Sequence, residues 1–285
     1  MFSLLIQGNN SGYEILPRNH SDLDITDKTQ VKNRLEKSQP SFVVNAAAYT
    51  KVDQAETEQN LAFAVNRDGP ANLAEICAMF EVPLIHISTD FVFDGKKSSP
   101  YIESDPISPL SIYGISKKEG ENEVRSRLKK YIILRTAWLY GVHGQNFVKT
   151  MLRLGKEKEV IPVVADQFGS PTSAADLAEA ILNIISKIKH SSDINWGTYH
   201  YCGLGITTWH KFAEEILNLA RQYISIKTTN VKPISTAEYP TEAIRPCFSA
   251  LDCSLIKKNF RINPKPWQDS LKTVIRQLCQ KETGK

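Results

Sequence analysis

The chain has 285 residues, 41% of them apolar and 23% charged, with a formal net charge of +4, which fits one large folded domain or two modest ones and excludes a disordered chain. The charge is too mild and too dispersed for a nucleic-acid binder, because Lys129-Lys130 and Lys257-Lys258 are pairs rather than blocks. No apolar run approaches the roughly 20 residues of a membrane span, and no basic segment precedes an apolar core as in a signal peptide, so a cytoplasmic protein without a membrane partner is expected.

The N-terminal stretch MFSLLIQGNNSGYEILPRNHSDLDITD sets the first problem. It reads as the tail of a helix over residues 1–7, a turn over Gly8–Gly12 and a strand over Tyr13–Pro17. The alternative makes SLLIQG a strand. Only residues 13–22 separate Gly12 from Leu23, too few for a helix of mean length, about 11 residues, plus a strand and turns. GNNSG is therefore not expected to be a phosphate loop.

Three apolar runs follow as buried strands: PSFVVNAAA, VPLIHISTD and YIILRTAWLYG. Between the first two, GPANLAEICAMF carries Leu73, Ile76, Cys77 and Phe80 at helical spacing, with Pro70 suited to a first turn. Between the second and third, SIYGISKKEGENEVRSRL reads as a helix with one polar face. Buried strands alternating with helices predict a doubly wound parallel sheet, a Rossmann-like α/β fold. Beyond about residue 145 the pattern changes. FVKTMLRLGK, SAADLAEAILNIISKI, TTWHKFAEEILNLARQY and WQDSLKTVIRQLC read as helices and VIPVV as a short strand, with loops and short strands over about 225–266. The expected division is a nucleotide-binding domain over 1–145 and a smaller lobe, mainly within 146–285, over the carboxyl edge of the sheet, where such folds bind ligands.

The five cysteines have no CxxC spacing and read as reduced thiols; the six histidines are scattered, so no metal site is expected.

Tyr113-Gly114-Ile115-Ser116-Lys117 is the most informative stretch. Four residues apart on a helix, Tyr113 and Lys117 share a face. An ammonium near a phenol lowers its pKa from near 10 and suits it to proton exchange with a substrate oxygen. Such pairs are also common on ordinary helices. Ser88-Thr89-Asp90 ends a strand, where a hydroxyl can bond a carbonyl oxygen but also suits a simple turn.

NAAAYTKVDQAE, VNRDGPANLA, HISTDFVFDG, PYIESDPISPLSIYGISKKEGE, RTAWLYG, NFVKTMLRL and DQFGSPTSAADLA together resemble the dTDP-4-dehydrorhamnose reductase family of extended short-chain dehydrogenase/reductases. The resemblance runs from about Leu23 to the last helix. It implies reduction of the 4-keto group of a dTDP-linked deoxysugar (dTDP-4-dehydro-6-deoxy-L-mannose to dTDP-L-rhamnose), usually with NADPH, NADH remaining open. Arg18 mildly favours a 2′-phosphate. By resemblance Tyr113 is the proton donor, Lys117 lowers its pKa and holds the nicotinamide ribose, and Thr89 orients the keto oxygen. Asn45, Ala46, Ala47 and Ala48 border the cofactor, and Asp24 and Ile25 its adenine. Thr50, Val52 and Trp138 border the sugar nucleotide. Phe91 stands where the family usually has Tyr. Measured against the family, the first strand and its glycine-rich loop are expected to be absent from this chain, as in an N-terminally shortened reductase. A homodimer stays open, as do a non-catalytic regulatory subunit of the same fold, like that of methionine adenosyltransferase, and an inactive remnant.

Overall fold

The computed structural model describes residues 2–191 and 193–283. Its centre is a parallel sheet of β1 (Val43–Asn45), β2 (Leu84–Thr89) and β3 (Tyr131–Thr136), followed in spatial order by β8 (Gly197–His200). The register aligns Asn45 with His86, Thr89 with Thr136 and Arg135 with His200. All four strands therefore end on one edge, and the loops after them carry the candidate residues.

Period-two alternation splits the strands between two faces. Leu84 and Ile133 point to the side packed by α4 (Gly69–Met79) and α5 (Ile112–Arg127), with α2 (Lys28–Ser38) behind. Ile85, Ile132 and Leu134 point to the side packed by α7 (Ala174–His190) and α9 (Ser254–Phe260). Helices on both faces make the sheet doubly wound, as the alternation predicts. Between α3 (Gln59–Phe63) and α4 the chain widens into a π-turn, Ala64–Asp68, that brings the Asn66 side chain inward.

A second core lies beyond the carboxyl edge. It joins β5 (Val160–Val164) to α6 (Phe147–Glu157), α8 (Trp209–Ala220) and α10 (Trp267–Thr283), through Val148, Leu152, Phe212, Ile216, Leu271 and Ile275. β5 pairs in parallel with β10 (Asn230–Ile234). Two-residue pairs tie this lobe together: β4 (Leu139–Tyr140) with β7 (Thr172–Ser173), and β6 (Phe168–Gly169) with β9 (Thr207–Thr208). Ser111, Asn146, Ser173 and Thr208 cap their helices with side-chain oxygens on first-turn N–H groups.

At the N-terminus the helix expectation holds and the strand expectation changes. Residues Phe2–Asn10 form a helix, α1, packed on α7, where Gln7 Nε2 donates to the Ala175 carbonyl at 2.9 Å. SLLIQG is thus not a strand, and Gly12 sits in a turn at φ 76°. Met1, included in the helix expectation, lies outside the described residues. The segment Tyr13–Pro17 is not a strand either. It has no ladder partner among the described residues, and Ile15 instead packs against Gly8. Elements missed in the sequence include α2, β8, whose Gly-Thr-Tyr-His reads as polar, and α9, inside a stretch read as loops and short strands.

Candidate active site

The carboxyl end of β2 and the first turns of α5 form the centre. Thr89 closes β2 and caps the short 3-10 turn Asp90–Val92: its Oγ1 accepts from Phe91 N at 3.2 Å and donates to Asp90 Oδ1 at 3.1 Å. α5 starts under Ser111, whose side chain takes the Gly114 N–H. Glu56 reaches across to accept the Ile112 N–H at 2.9 Å. This start puts Tyr113 near the β2 end, close enough to Thr89 for that hydroxyl to favour its phenolate. Phe91 stands edge-on to the Tyr113 ring, with centroids 5.5 Å apart. The close approach depends on Gly114, where a Cβ would lie 2.3 Å from the Phe91 carbonyl oxygen.

Lys117 is where the sequence expectation fails in detail. Its Nζ donates to the Ile87 carbonyl at 2.7 Å and stands 3.5 Å from His86 Nε2, under the sheet edge. The Tyr113 phenol is not lowered; burial pushes it up to about 12, and the Asp90 charge adds to the rise against the lowering effect of Thr89. Burial lowers the Lys117 amine to about 8, against the raising effect of Glu121. Burial, then the Lys117 charge, hold His86 well below its usual value and therefore neutral. Asn45 spans this group: its Oδ1 accepts the Ala47 N–H at 3.1 Å and its amide nitrogen meets His86 Nδ1 at 3.0 Å.

The other candidates fall into distinct places. Ala46 and Ala47 are exposed and Ala48 is half-buried, leaving the backbone after β1 open at the edge. Thr50 is exposed and Val52 half-buried on the same loop. Trp138 follows β3 in a left-handed conformation, φ 46°, with its indole stacked on Trp209 at 3.5 Å between centroids. Phe91 and Trp138 share the wall of a cleft of about 340 Å³ between the sheet edge and the lobe. Asp24 accepts from both the Thr26 N–H and hydroxyl, which holds its carboxyl below the usual range. Ile25 is a core residue: its side chain packs against Gly69 and its carbonyl accepts from Asn72, so the expected adenine contact is not on offer from that side chain. Arg18 Nη1 donates to the neighbouring Pro17 carbonyl.

Three residues that build the site, Asn66, Glu121 and Arg135, escaped the sequence reading. Asn66 pins the loop after β1 to α5: it accepts the Tyr49 N–H at 2.8 Å and donates to the Tyr49 carbonyl and to Ser116 Oγ. Glu121 and Arg135 form a buried bidentate pair joining α5 to β3, with Arg135 Nε to Oε1 at 2.9 Å and Nη2 to Oε2 at 2.8 Å, and Ser88 Oγ donating to Oε1 at 2.6 Å. Asp90 is buried, and Oδ2 has no hydrogen-bond partner. Burial raises its carboxyl to about 6, against the lowering effect of the nearby Ser249 and Thr89 hydroxyls. The signal was weak because each partner is distant in sequence. Among the described residues no cluster of three His, Cys, Asp or Glu could hold a metal, and no helix is long and apolar enough to cross a membrane.

Comparison with known proteins gives this geometry its kin. Residues 2–280 match the family model described as the RmlD substrate binding domain. A dTDP-4-dehydrorhamnose reductase of Aggregatibacter actinomycetemcomitans is 44% identical over 266 residues, covering 93% of this chain and 90% of the relative. One from Sinorhizobium fredii is 43% identical, covering 92% and 88%. The crystal structure of a dTDP-4-dehydrorhamnose reductase from Clostridium acetobutylicum superposes with a TM-score of 0.91 at 39% identity, covering 97% of this chain and 95% of that one. One from Bacillus anthracis, in complex with NADP, gives 0.89 at 40% identity, covering 97% and 94%. The parallel sheet, the Thr89–Tyr113 pair at its edge and the match along almost all of its length make this chain a member of the dTDP-4-dehydrorhamnose reductase family.

Proposed function

We propose that this protein reduces the 4-keto group of dTDP-4-dehydro-6-deoxy-L-mannose to give dTDP-L-rhamnose, with NADPH as reductant. The observation that carries the reading is the meeting of the β2 end with the first turn of α5, where Phe91, a cleft-wall residue next to Thr89 and Asp90, stands edge-on to Tyr113 at 5.5 Å. It supports Tyr113 as the proton donor, Thr89 as the group that orients the keto oxygen, and Phe91, Trp138, Thr50 and Val52 as the sugar-nucleotide border.

The open backbone of Ala46–Ala48 beside Asn45 admits close approach of a planar group, and Lys117 and Tyr113 flank the same edge. These residues fit the nicotinamide end of the cofactor, and Asp24 is proposed for the adenine side. Bound NADPH supplies the hydride that reduces the carbonyl carbon. The chain's own part is the proton. A phenol with a pKa near 12 is fully protonated at neutral pH and can deliver its proton as the keto oxygen becomes an alkoxide. The Thr89 hydroxyl fixes the direction of that delivery, which is worth far more in a buried site than in water. The Thr89 hydroxyl favours the phenolate left behind.

The test follows NADPH oxidation with the dTDP-4-keto sugar. Tyr113→Phe is expected to cut kcat by about 10²–10⁴-fold, the usual range for a lost general acid, while dTDP binding stays within a few-fold. Wild-type turnover in the variant would remove Tyr113 from the mechanism. The chain is proposed to act in the cytoplasm, with a homodimer as the candidate assembly.

A further inference from the structure

We propose that Arg245 anchors the diphosphate of the sugar nucleotide, with Asp53 holding its guanidinium in position. This rests on the reductase reading above and adds the anion-binding group to it.

Among the described residues lining the cleft, Arg245 is the one charged side chain. The walls are aromatic and aliphatic, from Trp138, Trp209, Phe147 and Met151. A nucleoside diphosphate carries at least two negative charges, and such charges do not enter an apolar cleft without a paired cation.

The hydrogen-bond pattern of the guanidinium fits that task. Nη1 donates to Asp53 Oδ1 at 3.0 Å and Nη2 to Asp53 Oδ2 at 2.7 Å, so the carboxylate is gripped end-on. The second Nη1 hydrogen goes to the Ala243 carbonyl at 3.1 Å. An arginine has five N–H donors in a fixed plane. These three bonds leave Nε–H and the second Nη2 hydrogen, which lie parallel on the side-on edge of the fork. That edge matches two oxygens of a phosphate. Asp53 also accepts the Ala243 N–H at 3.2 Å, so the two chain segments are fastened around the arginine. The guanidinium thus faces one anion from the protein and has an oriented, uncommitted edge for another.

The location selects the sugar nucleotide over the cofactor's own diphosphate. Asp53 follows Thr50 and Val52 on the loop after β1, and Arg245 neighbours Pro246 and Ser249 in the cleft wall that also holds Trp138. The open Ala46–Ala48 backbone is a separate part of that loop.

The test is calorimetric titration of dTDP, dTMP and NADPH into the wild type, Arg245→Gln, Arg245→Lys and Asp53→Asn, each checked for folding by circular dichroism. Arg245→Gln is expected to weaken dTDP by about tenfold or more, the scale of a lost charge-assisted bond pair, and dTMP and NADPH by less than about threefold. Arg245→Lys should recover only part of the loss, because an ammonium cannot bind both anions side by side. Asp53→Asn should weaken dTDP less than Arg245→Gln does. Unchanged dTDP affinity in Arg245→Gln overturns the proposal. Equal losses of dTDP and dTMP in both Arg245→Gln and Asp53→Asn also overturn it, since that would make the pair a structural fastening alone. A loss confined to NADPH would assign the arginine to the cofactor instead. If the wild type binds no dTDP at all, the reductase reading fails first and takes the anchor with it.

Discussion

Desolvation moves the pKa values of Tyr113, Lys117 and Asp90, all near the β2 end, toward the neutral form: up for the phenol and the carboxyl, down for the amine. For a reductase this is useful, because the phenol keeps its proton until the substrate oxygen demands it. It also costs stability, and the cost has a sign. The Asp90 carboxyl rises to about 6 from the usual 3.8. Its folded form binds the proton more tightly than the unfolded chain. The stability it contributes is therefore fully present below about pH 4 and is lost as the pH rises through 6. Asp90→Asn, which cannot ionise, should gain roughly 3 kcal/mol on the wild type between pH 4 and pH 8. Urea unfolding at the two pH values measures this, and a pH-independent difference would mean that Asp90 is not desolvated as described.

The helix α5 is the element that brings these groups together, and its seat is built by small residues and one ion pair. A Cβ at Gly120 would lie 2.0 Å from the Asn66 carbonyl oxygen, and one at Gly114 2.3 Å from that of Phe91. Both obstacles are backbone and cannot swing aside. Gly114→Ala and Gly120→Ala should each cost about 1–3 kcal/mol or more in thermal unfolding, as overpacked sites do. Gly114→Ala should also lower kcat, because it moves Phe91 and the Tyr113 ring against it. Normal melting of both variants would show that the contact relaxes freely. At the other end, burial would raise the Glu121 carboxyl, but bonds and charge from Arg135, with the charge of Arg125, hold it at about 2. A carboxyl depressed from 4.5 contributes stability above that value and loses it as the pH falls through 2. Glu121→Gln should destabilise the protein by about 3–5 kcal/mol at neutral pH, the range for a broken buried pair, and should flatten acid unfolding below pH 4.5. A melting curve that stays as acid-sensitive as the wild type would overturn that account.

At the scale of the whole molecule, long-range contacts decide what could be read in advance. β2 and β3 were legible because strands buried on both faces are written as unbroken apolar runs, and α5 because Tyr113 and Lys117 sit one turn apart. β8 was not, because its burial comes from α7 and α9 packing over a polar-looking Gly-Thr-Tyr-His. Asp53 and Arg245, 192 residues apart, meet only after the lobe folds back, so neither could be picked from its neighbours in the chain. The Lys117 amine was misjudged for the same reason: helical spacing gives the face it shares with Tyr113, but the Ile87 carbonyl that captures it belongs to another strand. The stacked indoles of Trp138 and Trp209, nearly parallel at 8° in the cleft wall, carry a consequence of another kind. Stacked indoles couple electronically and quench one another, so any molecule that enters the cleft and parts them changes the emission of the protein without a dye. The fold contains its own optical gauge of cleft occupancy, and Trp209→Phe would silence it while leaving Trp138 in the wall.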